Sequence, residues 1–290
     1  MAEVKLFSDS SSDLSDAIYE ENDIGIVPFY VTFDKVTYYK ERIDITVKEF
    51  FKRLKSEKSF PKTSLPTVHD YVEAFRPSLE KGVDVVCLCI TAKFSGSYQS
   101  AVGAVEELKP EFPDRVIRVI DSWQASCGQG VSLMQMIGMK KAGYDANAIA
   151  DKMEEIKSTA RVILTVDSLE YLQKGGRIGK VSALAGTLLQ IKPLIVQRDG
   201  ELNPDGKVRG RQKALDKVIE MTDEYVGSKR DDYDYLLLNA DCYDEAVPVE
   251  QKMIAKGYKF IAPIQDLGIT IGSHTGPTLI GVSICKKFNA

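Results

Sequence analysis

Only two histidines occur in this chain of 290 residues, and one of them, His274, stands in the run Ile271-Gly272-Ser273-His274-Thr275-Gly276-Pro277. Two further clusters, Thr63-Ser64-Leu65-Pro66-Thr67 and Phe94-Ser95-Gly96-Ser97, place small hydroxyls in segments punctuated by Pro or Gly. Hydroxyls and an imidazole are the donors an anionic head group needs, because a carboxylate or phosphate taken out of water must be hydrogen-bonded. Ser95 or Ser97 also precedes the helical run Tyr98-Gln99-Ser100-Ala101, whose first N–H groups could face the same anion. No metal site is expected: the five cysteines, Cys87, Cys89, Cys127, Cys242 and Cys285, are dispersed and never form C-x-x-C. Each cluster also has a structural reading. Ser12, Asp13 and Ser97 are ordinary helix caps, Thr63 and Ser64 could close a turn before Pro66, and His69 begins a helix facing solvent.

Positioning these groups requires a scaffold, and the apolar pattern describes one. Residues 83–90 and 116–120 are short, nearly continuous apolar runs of the kind buried parallel strands show. Helical spacing appears at residues 14–21, 47–55, 68–81, 124–142 and 146–158, and a first strand at 4–8. Residues 24–33 and 35–40 read as a hairpin broken at Asp34. Strands alternating with helices predict a parallel α/β sheet. In such a sheet ligands sit beyond the carboxyl ends of the strands, where the loops at Ser8–Asp13, Thr91–Ser97 and Asp121-Ser122 are expected to converge. Beyond about Thr159 the pattern is again α/β but less regular. Strands are expected at 162–166, 194–197, 235–238, 259–263 and 278–284, and helices near 184–189, 211–226 and 244–255. The fold expected is therefore two α/β domains, residues 1–159 with a parallel sheet and 160–290 with a mixed one, as the chain length also suggests.

Composition narrows the function. With 38 basic against 42 acidic side chains and a net charge of −4, no general field favours nucleic acid or an anionic membrane. The opening Met1-Ala2-Glu3-Val4-Lys5 has no basic segment followed by an apolar run, and no stretch approaches the ~18 apolar residues of a membrane helix. A cytoplasmic protein without membrane insertion is expected. Lys174-Gly175-Gly176-Arg177-Ile178-Gly179-Lys180 has a phosphate-loop composition without the required spacing, and no G-x-G-x-x-G occurs. The uncharged run from Ala183 through Leu184, Gly186 and Leu188 to Ile191 suits either core packing or the wall of an apolar tunnel. Val208-Arg209-Gly210-Arg211-Gln212-Lys213 is a local basic cluster.

Taken in order, Ser8-Asp9-Ser10-Ser11-Ser12-Asp13-Leu14, Thr63-Ser64-Leu65-Pro66-Thr67, Phe94-Ser95-Gly96-Ser97-Tyr98-Gln99-Ser100-Ala101, Gly175-Gly176-Arg177-Ile178-Gly179, Ile191-Lys192-Pro193-Leu194, Arg209-Gly210-Arg211 and Gly272-Ser273-His274-Thr275-Gly276-Pro277 resemble the motifs of the DegV family over the whole chain. That family comprises bacterial fatty-acid-binding proteins, including the FakB subunits of fatty acid kinase, in which a lipid is enclosed between two α/β domains. The resemblance implies that Thr63, Ser95 and His274 bind a fatty-acid carboxylate, and that Arg209 or Arg211 acts near the head group in phosphoryl transfer by a separate ATP-using kinase subunit. Ser64, Gly96, Ser97, Ala183, Leu184, Gly186, Leu188, Ile191 and Thr275 are the further pocket candidates. It implies no cofactor beyond the bound lipid and no catalysis by the chain alone. A carboxylate beside His274 would favour the protonated ring. Two features depart from the family pattern: Leu65 replaces a common polar residue, and Thr278 follows Pro277 where glycine is usual. The rival readings are a Ser–His hydrolase or acyltransferase using Ser95 and His274, which lacks a G-x-S-x-G elbow, and a regulatory binder of another lipid such as an isoprenoid.

Overall fold

The computed structural model describes residues 3–57, 60–184 and 190–290. In chain order its strands are β1 (Val4–Asp9), β2 (Gly25–Val27), β3 (Tyr30–Thr32), β4 (Tyr39–Lys40), β5 (Lys62–Ser64), β6 (Asp84–Cys89), β7 (Ile117–Asp121), β8 (Arg161–Thr165), β9 (Ile191–Arg198), β10 (Glu201–Arg209), β11 (Tyr233–Asn239), β12 (Gln265–Asp266) and β13 (Ile280–Lys286). The helices are α1 (Asp16–Glu21), α2 (Val47–Glu57), α3 (Val68–Glu80), α4 (Ser97–Leu108), α5 (Cys127–Lys141), α6 (Ala146–Ile156), α7 (Glu170–Gly175), α8 (Arg211–Val226), α9 (Tyr243–Ala255) and α10 (Ile269–Thr275). The fold is α/β, as the sequence predicts. A parallel sheet runs in the order β2-β1-β6-β7, a mixed six-stranded sheet in the order β10-β9-β8-β13-β11-β12, and β4-β3-β5 form a small antiparallel sheet.

The two large sheets share one apolar layer. Val4, Leu6, Val86 and Leu88 from the parallel sheet and Val162, Leu164, Leu236 and Leu238 from the mixed sheet belong to a single core cluster, with α5 between them. That helix buries residues on every side, including Val131, Ser132, Leu133, Met136 and Met139, as a helix enclosed by two sheets must. The outer faces are covered by α3 and α4 on one side, where Cys87 and Cys89 pack together as thiols, and by α8 and α9 on the other. Among the described residues no helix is long and apolar enough to cross a membrane, and no group of three or more His, Cys, Asp or Glu is placed to hold a metal ion.

Several expectations are corrected. Residues 24–33 are two strands in two different sheets, β2 and β3, separated at Pro28, whose missing N–H interrupts the ladder. The strand expected at 259–263 is reduced to one bridge between Phe260 and Tyr235, and the edge strand is β12, beyond Pro263. Strand β10 was not anticipated because it is a largely exposed polar edge with a register shift at Pro204/Gly206. Its turn, Asp199-Gly200, has φ of 53° and 82°, the left-handed pair that Asp-Gly hairpins adopt. Of the helix expected near 184–189, only Leu184 is described, at the end of a 3₁₀ segment (Gly179–Leu184), so Gly186 and Leu188 lie outside the described residues.

Beneath the carboxyl edge of the parallel sheet lies a buried network of carboxylates. Asp9 accepts hydrogen bonds from the Ser11 and Gln129 side chains, from Ser97 Oγ (2.9 Å) and from the Ile90 N–H (2.9 Å), tying the loops after β1 and β6 together. Glu41, just after β4, accepts from the Thr270 N–H (3.1 Å), the Ile269 N–H (2.5 Å), Thr270 Oγ1 (2.6 Å) and Ser10 Oγ (2.6 Å). It thereby satisfies the first N–H groups of α10. Asp13 accepts from Ser126 Oγ (2.5 Å). Burial pushes all three carboxyls up, and the Glu41 charge raises Asp13 further.

An acid whose folded-state pKa is raised holds its proton more tightly when folded. Its contribution to stability is complete below about pH 4 and is lost as pH rises through the raised pKa. Asp13→Asn abolishes that ionisation. The variant is expected to gain melting temperature relative to wild type, and to gain more at pH 8 than at pH 4; an equal shift at both would show that Asp13 does not titrate in the folded state.

Candidate functional site

A cavity of about 410 Å³ opens between the carboxyl edge of the parallel sheet and the inner face of the mixed sheet. Its walls are mainly apolar. Phe29, Ile90 and Ala125 come from loops at that edge, Val162 and Leu164 from successive inward positions of β8, Leu238 from β11, and Leu279 from the segment before β13. Volume and lining are those of a pocket for a small amphiphile.

Polar groups gather in one part of the wall. Thr63 and Ser64 are on β5, where Val31 pairs with Thr63 and Tyr30 with Ser64. Pro66 ends the strand, and Thr67 begins α3 with a reciprocal bond to Asp70, the capping-box arrangement. The Thr-Ser-Leu-Pro-Thr cluster therefore divides: its first three residues line the cavity and its last caps a helix. Ser95 and Gly96 lie in the turn before α4, where Ser95 Oγ accepts the Ser97 N–H at 3.2 Å. His274 occupies the last turn of α10 rather than a loop, and its Nε2 is 2.9 Å from Thr63 Oγ1, a bond whose donor depends on the ring tautomer. Nδ1 turns toward Gly175, where a Cβ would stand 2.3 Å away, so only glycine leaves space for the ring.

The structure brings together Thr63, Ser64, Ser95, Gly96, His274 and Thr275 on the cavity wall. It places others elsewhere. Ser97 is fully buried and joins Asp9 to Tyr71 beneath the wall. Ala183, Leu184 and Ile191 are not among the lining residues. Arg211 pairs with Glu245 at 2.7 Å and donates to the Thr278 carbonyl at 2.6 Å, joining α8 to α9 and to the turn before β13. Thr278 itself has φ 77°, which explains why glycine suits that position. Arg209 is exposed at the end of β10. Residues 8–13 support the site from below without lining it.

Sequence reasoning did not single out Arg177 as a site residue, although its motif was in view. Arg177 lines the cavity, donating to the Phe94 carbonyl (3.3 Å) and the Gly175 carbonyl (2.8 Å), and Lys93 lines it nearby. A cation inside a Gly-rich segment was the available signal. The expected bias of the imidazole is reversed: burial first, then the charges of Arg177 and of Lys62 on β5, bring His274 down to about 4. The protein alone keeps this ring neutral at neutral pH.

Because the folded-state pKa is lowered, folding opposes protonation, and the His274 contribution to stability is lost as pH falls from 6.5 toward 4. NMR titration of ligand-stripped protein, with His69 substituted to assign the remaining ring, should give a midpoint near 4; a midpoint at or above the ordinary histidine value would refute this electrostatic account.

Comparison with known proteins agrees with this architecture. Residues 3–287 match a family model described as an uncharacterised protein of the DegV family. A DegV domain-containing protein of Clostridium perfringens is 33% identical over 284 residues, covering 95% of each chain. Among solved structures, a stearic acid-binding protein from Eubacterium ventriosum superposes with a TM-score of 0.94 at 35% identity, covering 100% of this chain and 99% of the other. A DegV family protein from Thermus thermophilus, described by its fatty acid binding, gives 0.89 at 30% identity, covering 98% and 99%. The chain belongs to the DegV family.

Proposed function

We propose that this protein is a fatty-acid carrier: a long-chain fatty acid lies in the cavity, with its carboxylate held by Thr63, Ser95 and His274 and its tail along the apolar wall. The observation that carries this reading is a mainly apolar cavity with the polar donors Thr63, Ser95, His274 and Arg177 on its wall. The fatty-acid-binding relatives support it. About fifteen methylenes at ~0.8 kcal/mol each offer on the order of 12 kcal/mol of burial, part of which offsets the cost of association. The tail supplies affinity; the hydroxyls and the imidazole offset desolvation of the carboxylate. The anion in turn counters the field that lowers the His274 pKa, so binding draws the ring toward its protonated form.

The finer reading is a FakB-like subunit that presents the carboxylate to a separate ATP-dependent kinase and carries the acyl phosphate onward, without turnover of its own. Residues 1–159 and 160–290 then form two domains enclosing the lipid. Such a subunit works in the cytoplasm, where ATP is available and the five cysteines stay reduced. Arg177, at the cavity, and Arg209 and Arg211, outside it, are the cations proposed to meet the developing phosphoryl charge. The Ser–His hydrolase reading gains no support, since His274 Nε2 is bonded to Thr63 rather than to Ser95.

Protein produced in a bacterial host is expected to carry about one fatty acid per chain, seen by mass spectrometry after organic extraction. Thr63→Val, Ser95→Ala and His274→Ala should each weaken rebinding by about 1–3 kcal/mol in calorimetry; unchanged affinity in all three folded variants would place the head group elsewhere. With ATP and a cognate kinase, Arg209→Ala and Arg211→Ala should leave lipid affinity within a few-fold, while at least one greatly reduces acyl-phosphate formation. Product made by the isolated chain, or full transfer by both variants, would count against the carrier role of that cluster.

A further inference from the structure

Most hydroxyl and amide groups around the cavity already have partners. Ser126 and Thr270 donate to Asp13 and Glu41, Thr63 is bonded to His274, and Thr275 donates to the Ile271 carbonyl. Gln197 differs. It lines the cavity and is 3% exposed, yet its Nε2 has no hydrogen-bond partner among the described residues. It stands on β9 directly opposite Val162 on one side and Leu202 on the other, both apolar lining residues. Other buried polar atoms nearby also lack partners among the described residues: Ser283 Oγ across β8, Gln124 Oε1 and Asp13 Oδ1, on residues that do not line the cavity, and His274 Nδ1, which lies on a lining residue but faces the backbone of Gly175. Gln197 alone combines an unpaired amide with access to whatever lies inside.

We propose that Gln197 determines specificity by reading an oxygen carried along the acyl chain, so that hydroxy- or oxo-acyl lipids are held in preference to saturated chains of equal length. The inference rests on the fatty-acid reading above. A wall built only for methylenes would leave this donor unpaired under a saturated chain, which weakens binding by about 5- to 100-fold relative to a chain that pairs it. A ketone or hydroxyl oxygen accepts from Nε2 in a site that excludes water, where a hydrogen bond is electrostatically strongest. Either orientation of the amide suits a hydroxyl, which both donates and accepts. A cis double bond offers only its π face, a weaker acceptor. The expected order is therefore oxygenated, then unsaturated, then saturated.

Competition binding would compare octadecanoate, oleate and a series of hydroxy- and oxo-octadecanoates with the oxygen at successive mid-chain carbons. Wild type is set against Gln197→Met, which keeps the length and removes the polar atoms, with Gln197→Leu as a second variant and melting curves to verify folding. At least one oxygenated isomer should prefer wild type over the variants by about tenfold relative to octadecanoate, with oleate between. If the ratio to octadecanoate is the same in wild type and variants for every isomer, Gln197 does not read the tail and a trapped water satisfies its amide. If no chain of any kind binds wild type, the fatty-acid reading itself fails, and this inference with it.

Discussion

The capture of the α10 N-terminus by Glu41 is the constraint on which the site depends. A seven-residue helix is too short to persist by its own propagation, yet this one must hold an imidazole within hydrogen-bond reach of a hydroxyl on another sheet. Three hydrogen bonds from α10 to one buried carboxylate fix its beginning, and the contact with Thr63 fixes its end. Because the same carboxylate accepts from Ser10, and Ser10 Oγ also accepts the Phe29 N–H, the loop after β1, the β3–β4 hairpin and α10 are held as one piece. The cost of burying Glu41 beside Asp13 appears as raised pKa values and as an Asp13 Oδ1 without a hydrogen-bond partner among the described residues.

Electrostatics at the cavity are divided in two. Below the wall are acids held in a network of hydroxyls and amides; around the polar end are the cations Arg177, Lys62 and Lys93. Ser126 and Thr270 separate them, since both line the cavity while donating to the acids. An anion in the cavity thus meets positive charge directly and negative charge only through hydroxyls already committed elsewhere, which biases the same space against cations.

The alternation of apolar strands with helices made the parallel sheet legible, because buried strands advertise themselves by continuous hydrophobicity. Helix α8 matches its expected range, 211–226, for the related reason that one face alternates at helical spacing. Strands β5 and β10 were not legible: β5 is three polar residues whose pairing is decided by β3, and β10 is an edge whose outward side chains carry no burial signal. The hydroxyl-rich clusters drew attention correctly as segments, but their internal division was invisible. In Ser8–Asp13 every residue is buried, and they bear load from beneath, whereas Ser97 turns from Ser95, two residues away, into the Asp9 network. Direction of a side chain depends on backbone geometry that composition does not encode. The neutral imidazole was likewise hidden, because Lys62 and Arg177 are brought to His274 only by the tertiary fold.

The hydrogen bond between Thr63 and His274 joins residues 211 positions apart. The bonds from Ile269 and Thr270 to Glu41 close loops of similar size, and closing large loops is slow because the entropy must be surrendered before the contact can stabilise anything. The apolar layers around each sheet can form from segments much nearer in sequence. Loop-closure entropy therefore favours an order of assembly in which the two sheets form first and the cradle between them closes last.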